Sequence, residues 1–445
     1  MYPTIISLKA KEQWLVKLSI GFEVKSEKLA IDGGIPVRGE GLPLEADITD
    51  AEIEAVLEVL RNRKLSQLAG SYVEDFEVEF ARYVGVKYAV AVNSGTSALS
   101  LAVAALQIGT GDEVVLPPYT FVATANGILQ QNAIPIFADI DSRTFNLDPL
   151  KLEQKISEKT RAIMPVHMFG HPCDMDPILE IARKHDLSVI EDSAQAAGAE
   201  YKGKKTGSIG DVGCFSFYLN KNMTTGEGGM LVTDNEEVAE RAATLRNHCR
   251  PEVSSIPNVP SYNIFTGIGW NLRMTSLQAV IGGAQLKRLD ESNKKREANA
   301  QFIMKHAEPF EWLHPQRTVA DAKPVHWLQA FRIDDHSRID RDKFVAAISA
   351  EGVKAEGYAP IPVHLQEVFT KKVGYGRTHC PFDCPVYGKK VEYKVGDCPE
   401  AEKLCKQDIT IPCYNALRGS DLNDIVSAVT KVAKWFDAKR MKNIS

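Results

Sequence analysis

Apolar residues along this 445-residue chain change spacing in a regular rhythm from position 48 onward. ITDAEIEAVLEVLRNR at 48–63 carries them at helical spacing behind Thr49, a residue placed to cap. A second helix is expected at about 72–84, and YAVAVNS at 88–94 reads as the first strand. From there strands and helices alternate: helix 95–106, strand EVVLP, helix 121–131, strand IPIFADI, helix 148–157, strand RAIMPVH, helix 175–185 and strand SVIEDS. Short apolar strands separated by helices of this length predict an α/β fold, a mainly parallel sheet with helices on both faces. After Gly207 the tempo changes to close-set strands, CFSFYL and MLVTD, around a glycine-rich turn. A single long helix is expected from about 274 to 306, apolar first and highly charged later, as a bridge to a second unit. That unit alternates in an α+β manner: strand VHWLQAFRI, helix DRDKFVAAISAEG and a final helix at about 421–438.

Length changes this picture by requiring more than one core. The expected division is an N-terminal appendage at 1–27, a large domain at 28–290 and a smaller C-terminal domain at 291–445. The last of these includes a polar, Cys- and Tyr-containing insertion at about 367–397. A composition of 44% hydrophobic and 25% charged residues is that of a globular protein, and a net charge of −5 argues against nucleic acid or an anionic membrane as the main partner. No apolar run reaches the ~18 residues of a membrane span. The first 28 residues lack a continuous apolar segment with a cleavage site, so a cytoplasmic protein is expected. Five of the eight cysteines crowd into the last quarter, and HCPFDC at 379–384 with Cys398 offers thiols and an imidazole that zinc could use. The C-x3-C spacing is not a common zinc pattern, and reduced thiols without metal are the expectation.

Chemistry concentrates at three strand ends, where open α/β sheets bind their ligands. In VNSGTSALSLAVAAL a strand ends at Asn93, Gly95 permits a tight turn, and Thr96 and Ser97 open a helix. Free N–H groups and hydroxyls there make a phosphate site, although Ser and Thr also cap many helices with no ligand at all. In VIEDSAQ, Asp192 and Gln195 lie just past a strand. An acid at that place serves equally as a cap, a metal ligand or a partner for a pyridine nitrogen. In CFSFYLNKNMTTGEGGM, Lys221 stands five residues after Ser216. Most lysines are solvated surface charges, but this one sits between an apolar strand and glycines, and desolvation leaves more free amine for Schiff-base chemistry. Pyridoxal phosphate requires these parts together, with an aromatic face for its ring that Phe121 in PPYTFVATAN would supply.

NSGTSAL, PPYTFVATAN, EDSAQAAGA, GDVGCFSFYLNKNMTTGEGGMLVT, LRNH and WNLRMTSLQAVIG, in that order, resemble the DegT/StrS-type sugar aminotransferases. The resemblance runs from about residue 28 to the C-terminus and is densest over 88–280. It implies a fold-type-I transferase that uses pyridoxal 5′-phosphate, held by Lys221, with Asp192 on the pyridine nitrogen and Gln195 near the 3-hydroxyl. It implies Gly95, Thr96, Ser97 and Ser216 as phosphate ligands and Phe121 as the stacking aromatic. Asn271 matches a residue that reaches the phosphate of the neighbouring subunit, so a homodimer with shared active sites is expected. His167, Tyr358 and His364 fall in segments that line the substrate side. The implied reaction moves an amino group from L-glutamate or L-glutamine to a keto sugar, nucleotide-linked, or to a keto-cyclitol. Some relatives carry histidine in place of the lysine and are dehydratases, a branch that Lys221 disfavours. A regulatory protein that binds the cofactor without turnover is the remaining alternative.

Overall fold

A computed structural model describes residues 28–43, 46–251 and 264–442; the appendage expected at 1–27 lies outside them. After two helices, α1 (Asp50–Asn62) and α2 (Tyr72–Val84), the chain enters the alternation expected of it. The succession is β1 (Tyr88–Val92), α3 (Gly95–Ala105), β2 (Glu113–Leu116), α4 (Ala123–Leu129), β3 (Ile134–Phe137) and β4 (Thr160–Ile163), then α5 (Met175–Lys184), β5 (Ser188–Asp192), β6 (Val212–Ser216), β7 (Gly229–Thr233) and α6 (Glu236–Arg246). Thr49 begins α1 through a capping box with Glu52, which satisfies donors that the first turn leaves free.

The seven strands form one sheet in the order β1-β7-β6-β5-β4-β2-β3. Pairings from β6 to β3 are parallel, while β7 is antiparallel to both β1 and β6. It follows that every strand except β7 ends at the same edge. Val114, Leu116, Ala162, Ile190, Val212 and Leu231 are fully buried between the helix layers, as a sheet covered on both faces requires.

One long helix was expected from 274 to 306, and there are two: α7 (Ser276–Leu286) and α8 (Leu289–Ala307). The backbone leaves helical angles at Arg288 (φ −118°, ψ 9°). The Arg288 guanidinium is drawn onto Glu52 and Asp47, contacts that tie this break to the start of α1. Beyond α8 a second core forms. Its antiparallel sheet, β8 (Leu313–Pro315), β9 (Gln329–Ile333) and β10 (Asp408–Ile411), packs against α8, α9 (Arg341–Ala350) and α10 (Gly419–Lys442) through Phe331, Phe344, Ile348, Ile409 and Val429.

Segment 367–397 packs against the large sheet. Phe369 and Tyr393 pack on Phe137 and on each other, and Phe382 packs on both of them, with rings 5.2–6.2 Å apart. Tyr393 donates to the Pro135 carbonyl (2.9 Å) and Tyr387 to Glu113 (2.7 Å). The physical reason is that β3 is an edge strand, and aromatic cover protects an edge that would otherwise face water. All eight cysteines are unpaired, and among the described residues no group of three His, Cys, Asp or Glu side chains is placed to hold a metal. Nor is any described helix long and apolar enough to cross a membrane.

The packing of α2 on α7 is tight enough to test. A Cβ on Gly282 would stand 2.5 Å from Phe76. Phe76 cannot yield, because its ring is buried against Phe80 and Phe217. Gly282→Ala is expected to destabilise the fold by about 1–3 kcal/mol, read as an earlier unfolding midpoint in urea; an unchanged midpoint would show that the helices part freely.

Candidate active site

The shared strand edge gathers most of the residues singled out from the sequence. Asp192 is the last residue of β5 and is 4% exposed. Its Oδ2 accepts from the Thr124 hydroxyl (2.8 Å) and its Oδ1 from the Ala194 N–H (3.1 Å). Burial raises its carboxyl pKa, while these two hydrogen bonds and the charge on Lys221 pull the other way. Thr124 lies one turn beyond Phe121, and its N–H is bonded to the Phe121 carbonyl (3.2 Å). The same turn therefore orients the carboxylate and presents Phe121, whose ring is 63% exposed at the mouth of the site. Thr124 was not singled out from the sequence; Thr120 and Thr124, bonded to each other at 2.8 Å, were the signal inside PPYTFVATAN.

Lys221 occupies the loop between β6 and β7, in a turn closed by its own N–H on the Tyr218 carbonyl (3.0 Å). The residue keeps partial exposure, but its amine lies in a desolvated place. Burial lowers its pKa to about 8, with Asp192 opposing the shift. The amine rests 3.6 Å from the centre of the Trp327 ring, a neighbour the sequence did not reveal because VHWLQAFRI read only as a strand.

At the end of β1, Ser94 caps α3 by accepting from the Ser97 N–H (3.1 Å), and the Ser97 hydroxyl donates to Asn93 (2.6 Å). Gly95 does not serve a positive-φ turn. It is needed for close approach, since a Cβ there would meet the Ser216 Cβ at 2.6 Å. Strand β6 thereby brings Ser216 against the opening of α3, where the N–H groups of Gly95 and Thr96 have no acceptor within the helix. Helix N-terminus and hydroxyls together suit a phosphate.

Gln195 is buried with both ends of its amide engaged: Oε1 accepts from the Phe169 N–H (2.7 Å) and Nε2 donates to the Tyr358 hydroxyl (3.1 Å). Tyr358 is anchored in turn by its N–H on Asp408, which also accepts from Tyr119 and Arg341 at 2.9 Å each. Burial lifts the Asp408 carboxyl to about 6. Tyr358 is thereby held against Gln195. The two histidines are turned into the core. His167 is completely buried, with Nε2 on Glu191 (2.9 Å) and Nδ1 accepting from the Cys173 N–H (3.0 Å). His364 is buried against Phe137, with Nε2 on Glu402 (3.2 Å). Both expectations of a substrate-facing imidazole are corrected, because neither ring has surface to offer. Asn271 is exposed on the segment that runs beside the end of β1, where the Leu272 carbonyl accepts from the Asn93 N–H (2.9 Å).

Residues 46–383 match the model of the DegT/DnrJ/EryC1/StrS aminotransferase family. The chain belongs to that family. Among its relatives, GDP-perosamine synthase of Caulobacter vibrioides is 37% identical over 86% of this chain and 95% of its own. The UDP-N-acetyl-3-dehydro-alpha-D-glucosamine 3-aminotransferase of Acidithiobacillus ferrooxidans is 35% identical over 82% and 90%. The crystal structure of DesV from S. venezuelae in complex with a ketimine intermediate superposes with a TM-score of 0.75 at 32% identity, covering 89% of this chain and 99% of that one. As a DegT/DnrJ/EryC1/StrS aminotransferase the protein is a fold-type-I enzyme that uses pyridoxal 5′-phosphate. The site fits that cofactor: a helix N-terminus with close-set hydroxyls, a buried carboxylate, an unshielded aromatic face and a desolvated amine lie along one edge.

The lowered amine pKa sets a pH dependence. The neutral amine is the nucleophile, so attachment of pyridoxal phosphate to cofactor-free protein should accelerate as pH rises through about 8 and level off above it. A rate still climbing towards the ordinary lysine value of 10.5 would contradict the burial of Lys221. Thr124→Val, which removes the donor to Asp192, should weaken cofactor binding by about tenfold in a spectroscopic titration; affinity within twofold of wild type would count against that role.

Proposed function

We propose that the protein is a ping-pong aminotransferase that moves an amino group from L-glutamate or L-glutamine to a keto sugar, nucleotide-linked, in amino-sugar biosynthesis. The observation that carries the reading is the Lys221 amine, desolvated to a pKa of about 8 within the field of Asp192. A group that is partly neutral near physiological pH can accept a proton in one half-reaction and return it in the other.

Pyridoxal phosphate, when bound, supplies an electron sink conjugated to the nitrogen being transferred. The chain's own residues do the rest. The free N–H groups of Gly95 and Thr96 that open α3, with the Ser97 and Ser216 hydroxyls, would hold the phosphate. Asp192, its oxygens fixed by Thr124 and Ala194, keeps a proton on the pyridine nitrogen. Gln195 faces the 3-hydroxyl with the amide hydrogen that Tyr358 leaves free. Phe121 covers one ring face. Lys221 Nζ removes the Cα proton of the amino donor and delivers a proton to the acceptor carbon. Tyr358 lines the acceptor side. In a cytoplasmic homodimer, Asn271 of the partner subunit completes the phosphate site.

Incubating the holoenzyme with either donor and a panel of keto-sugar nucleotides and keto-cyclitols should give an amine and an equimolar 2-oxo acid with a sugar nucleotide. Turnover only with a keto-cyclitol would move the acceptor to that class. Loss of water from the sugar without any donor would make the protein a dehydratase and overturn the reading. Lys221→Ala should remove the visible absorption of the lysine-bound cofactor and lower amine transfer by about 10³-fold or more, while the fold survives.

A further inference from the structure

The lysine of such an enzyme would be displaced when the amino donor binds and would rejoin the cofactor only as the second half-reaction closes, so its amine needs a resting place in between. The Lys221 amine lies over the face of Trp327, 3.6 Å from the ring centre. We propose that Trp327 is a positioning residue: its indole face receives the Lys221 amine whenever that amine is not bonded to the cofactor, and so keeps it within reach of the carbon whose proton it moves. The inference rests on the reading of Lys221 as the cofactor's lysine.

Four contacts make the indole a fixed platform. Its Nε1–H donates to the carbonyl of Asn220, the residue before Lys221, at 2.7 Å. Its backbone N–H donates to the Phe169 carbonyl at 2.9 Å. The Phe169 ring lies nearly parallel to it, 6.2 Å away at 21°, and Tyr358 stands edge-on at 6.2 Å and 88°. Trp327 is only 7% exposed, so the indole has no alternative orientation in water. Phe169 also holds Gln195 through its N–H (2.7 Å). The amine's platform and the cofactor's expected 3-hydroxyl partner therefore share one short segment.

The energetics favour such a device. A lysine released into a desolvated pocket either swings out to water or finds a compensating field. Among the described residues Lys221 has no ion pair within 4 Å. Asp192 reaches it only through its field. The flanking His326 is kept neutral by burial, its pKa lowered to about 4, and the Tyr358 hydroxyl is held protonated. An indole face stabilises an ammonium electrostatically without adding a full negative charge. A carboxylate in its place would hold the proton too firmly for a group that must also act as a base. Burial pushes the amine towards neutrality and the ring face pulls it back, which leaves both forms accessible.

The test uses Trp327→Leu, which keeps apolar cover and removes the π face, and Trp327→Phe, which restores a smaller one. In cofactor-free protein, the pH midpoint for labelling of Lys221 by an amine-reactive reagent, followed by peptide mass spectrometry, should fall by about one unit in Trp327→Leu. In the holoenzyme kcat should fall by about tenfold or more while KM for the amino donor stays within about twofold. Trp327→Phe should recover most of both. A labelling midpoint in Trp327→Leu that is unchanged or raised overturns the proposal. So does a rise in KM alone, which would make Trp327 a substrate wall. If Trp327→Leu does not fold, a Trp327→Phe protein with a wild-type midpoint and kcat is the expected result, and loss of either beyond threefold overturns it. Lys221→Ala separates the two levels: retention of the cofactor's visible absorption in that variant refutes the reading of Lys221 itself, whereas its loss beside a wild-type-like Trp327→Leu refutes only the platform.

Discussion

Burying an amine beside a carboxylate, at the one edge where all strands but β7 end, is the constraint on which the other features of the site depend. An unpaired ammonium in a low-dielectric pocket is unstable relative to its neutral form. The chain meets that cost by letting the Lys221 pKa fall to about 8, with Asp192 preventing a larger drop. Neither group would stay in place unaided. Asp192 is oriented by Thr124, which belongs to the turn that carries Phe121. Lys221 is fixed by its own turn and by the tryptophan beneath its amine.

The two cores of the fold meet at this point. The large sheet contributes Ser216, Asp192 and the helix opening at Gly95. Trp327 lies just before β9 of the smaller sheet, and Asp408, the first residue of β10, pins Tyr358 onto Gln195. Phe169 links the halves, because its N–H holds Gln195 and its carbonyl holds Trp327. A shift between the cores would be felt by the amine and by the amide together.

What could be read from the sequence was whatever lies close along the chain. Thr49 with Glu52, the strand–helix alternation, and Asp192, Lys221 and Ser216 next to strand ends are local patterns, and strand direction then forces them to one edge. What could not be read was contact across long separations. Trp327 looked like any aromatic in a strand, and its meaning comes from a residue 106 positions earlier. His167 and His364 drew notice because they fall in segments that line the substrate side of the resembled family, yet both rings are buried on Glu191 and Glu402. The break at Arg288 has no helix breaker to announce it and follows from acids more than 230 positions away. The segment at 367–397 reads along the chain only as a polar insertion, and its Phe and Tyr side chains meet the β3 edge through contacts more than 230 positions away.

The reading of the site turns on one buried amine, Lys221, as the group that bonds the cofactor. The most direct measurement is to reduce the holoenzyme with sodium borohydride, digest it and locate the added pyridoxyl mass by peptide sequencing. The mass is predicted on Lys221 and on no other lysine. Pyridoxyl label spread over surface lysines, or absent from the peptide carrying Lys221, would contradict the account.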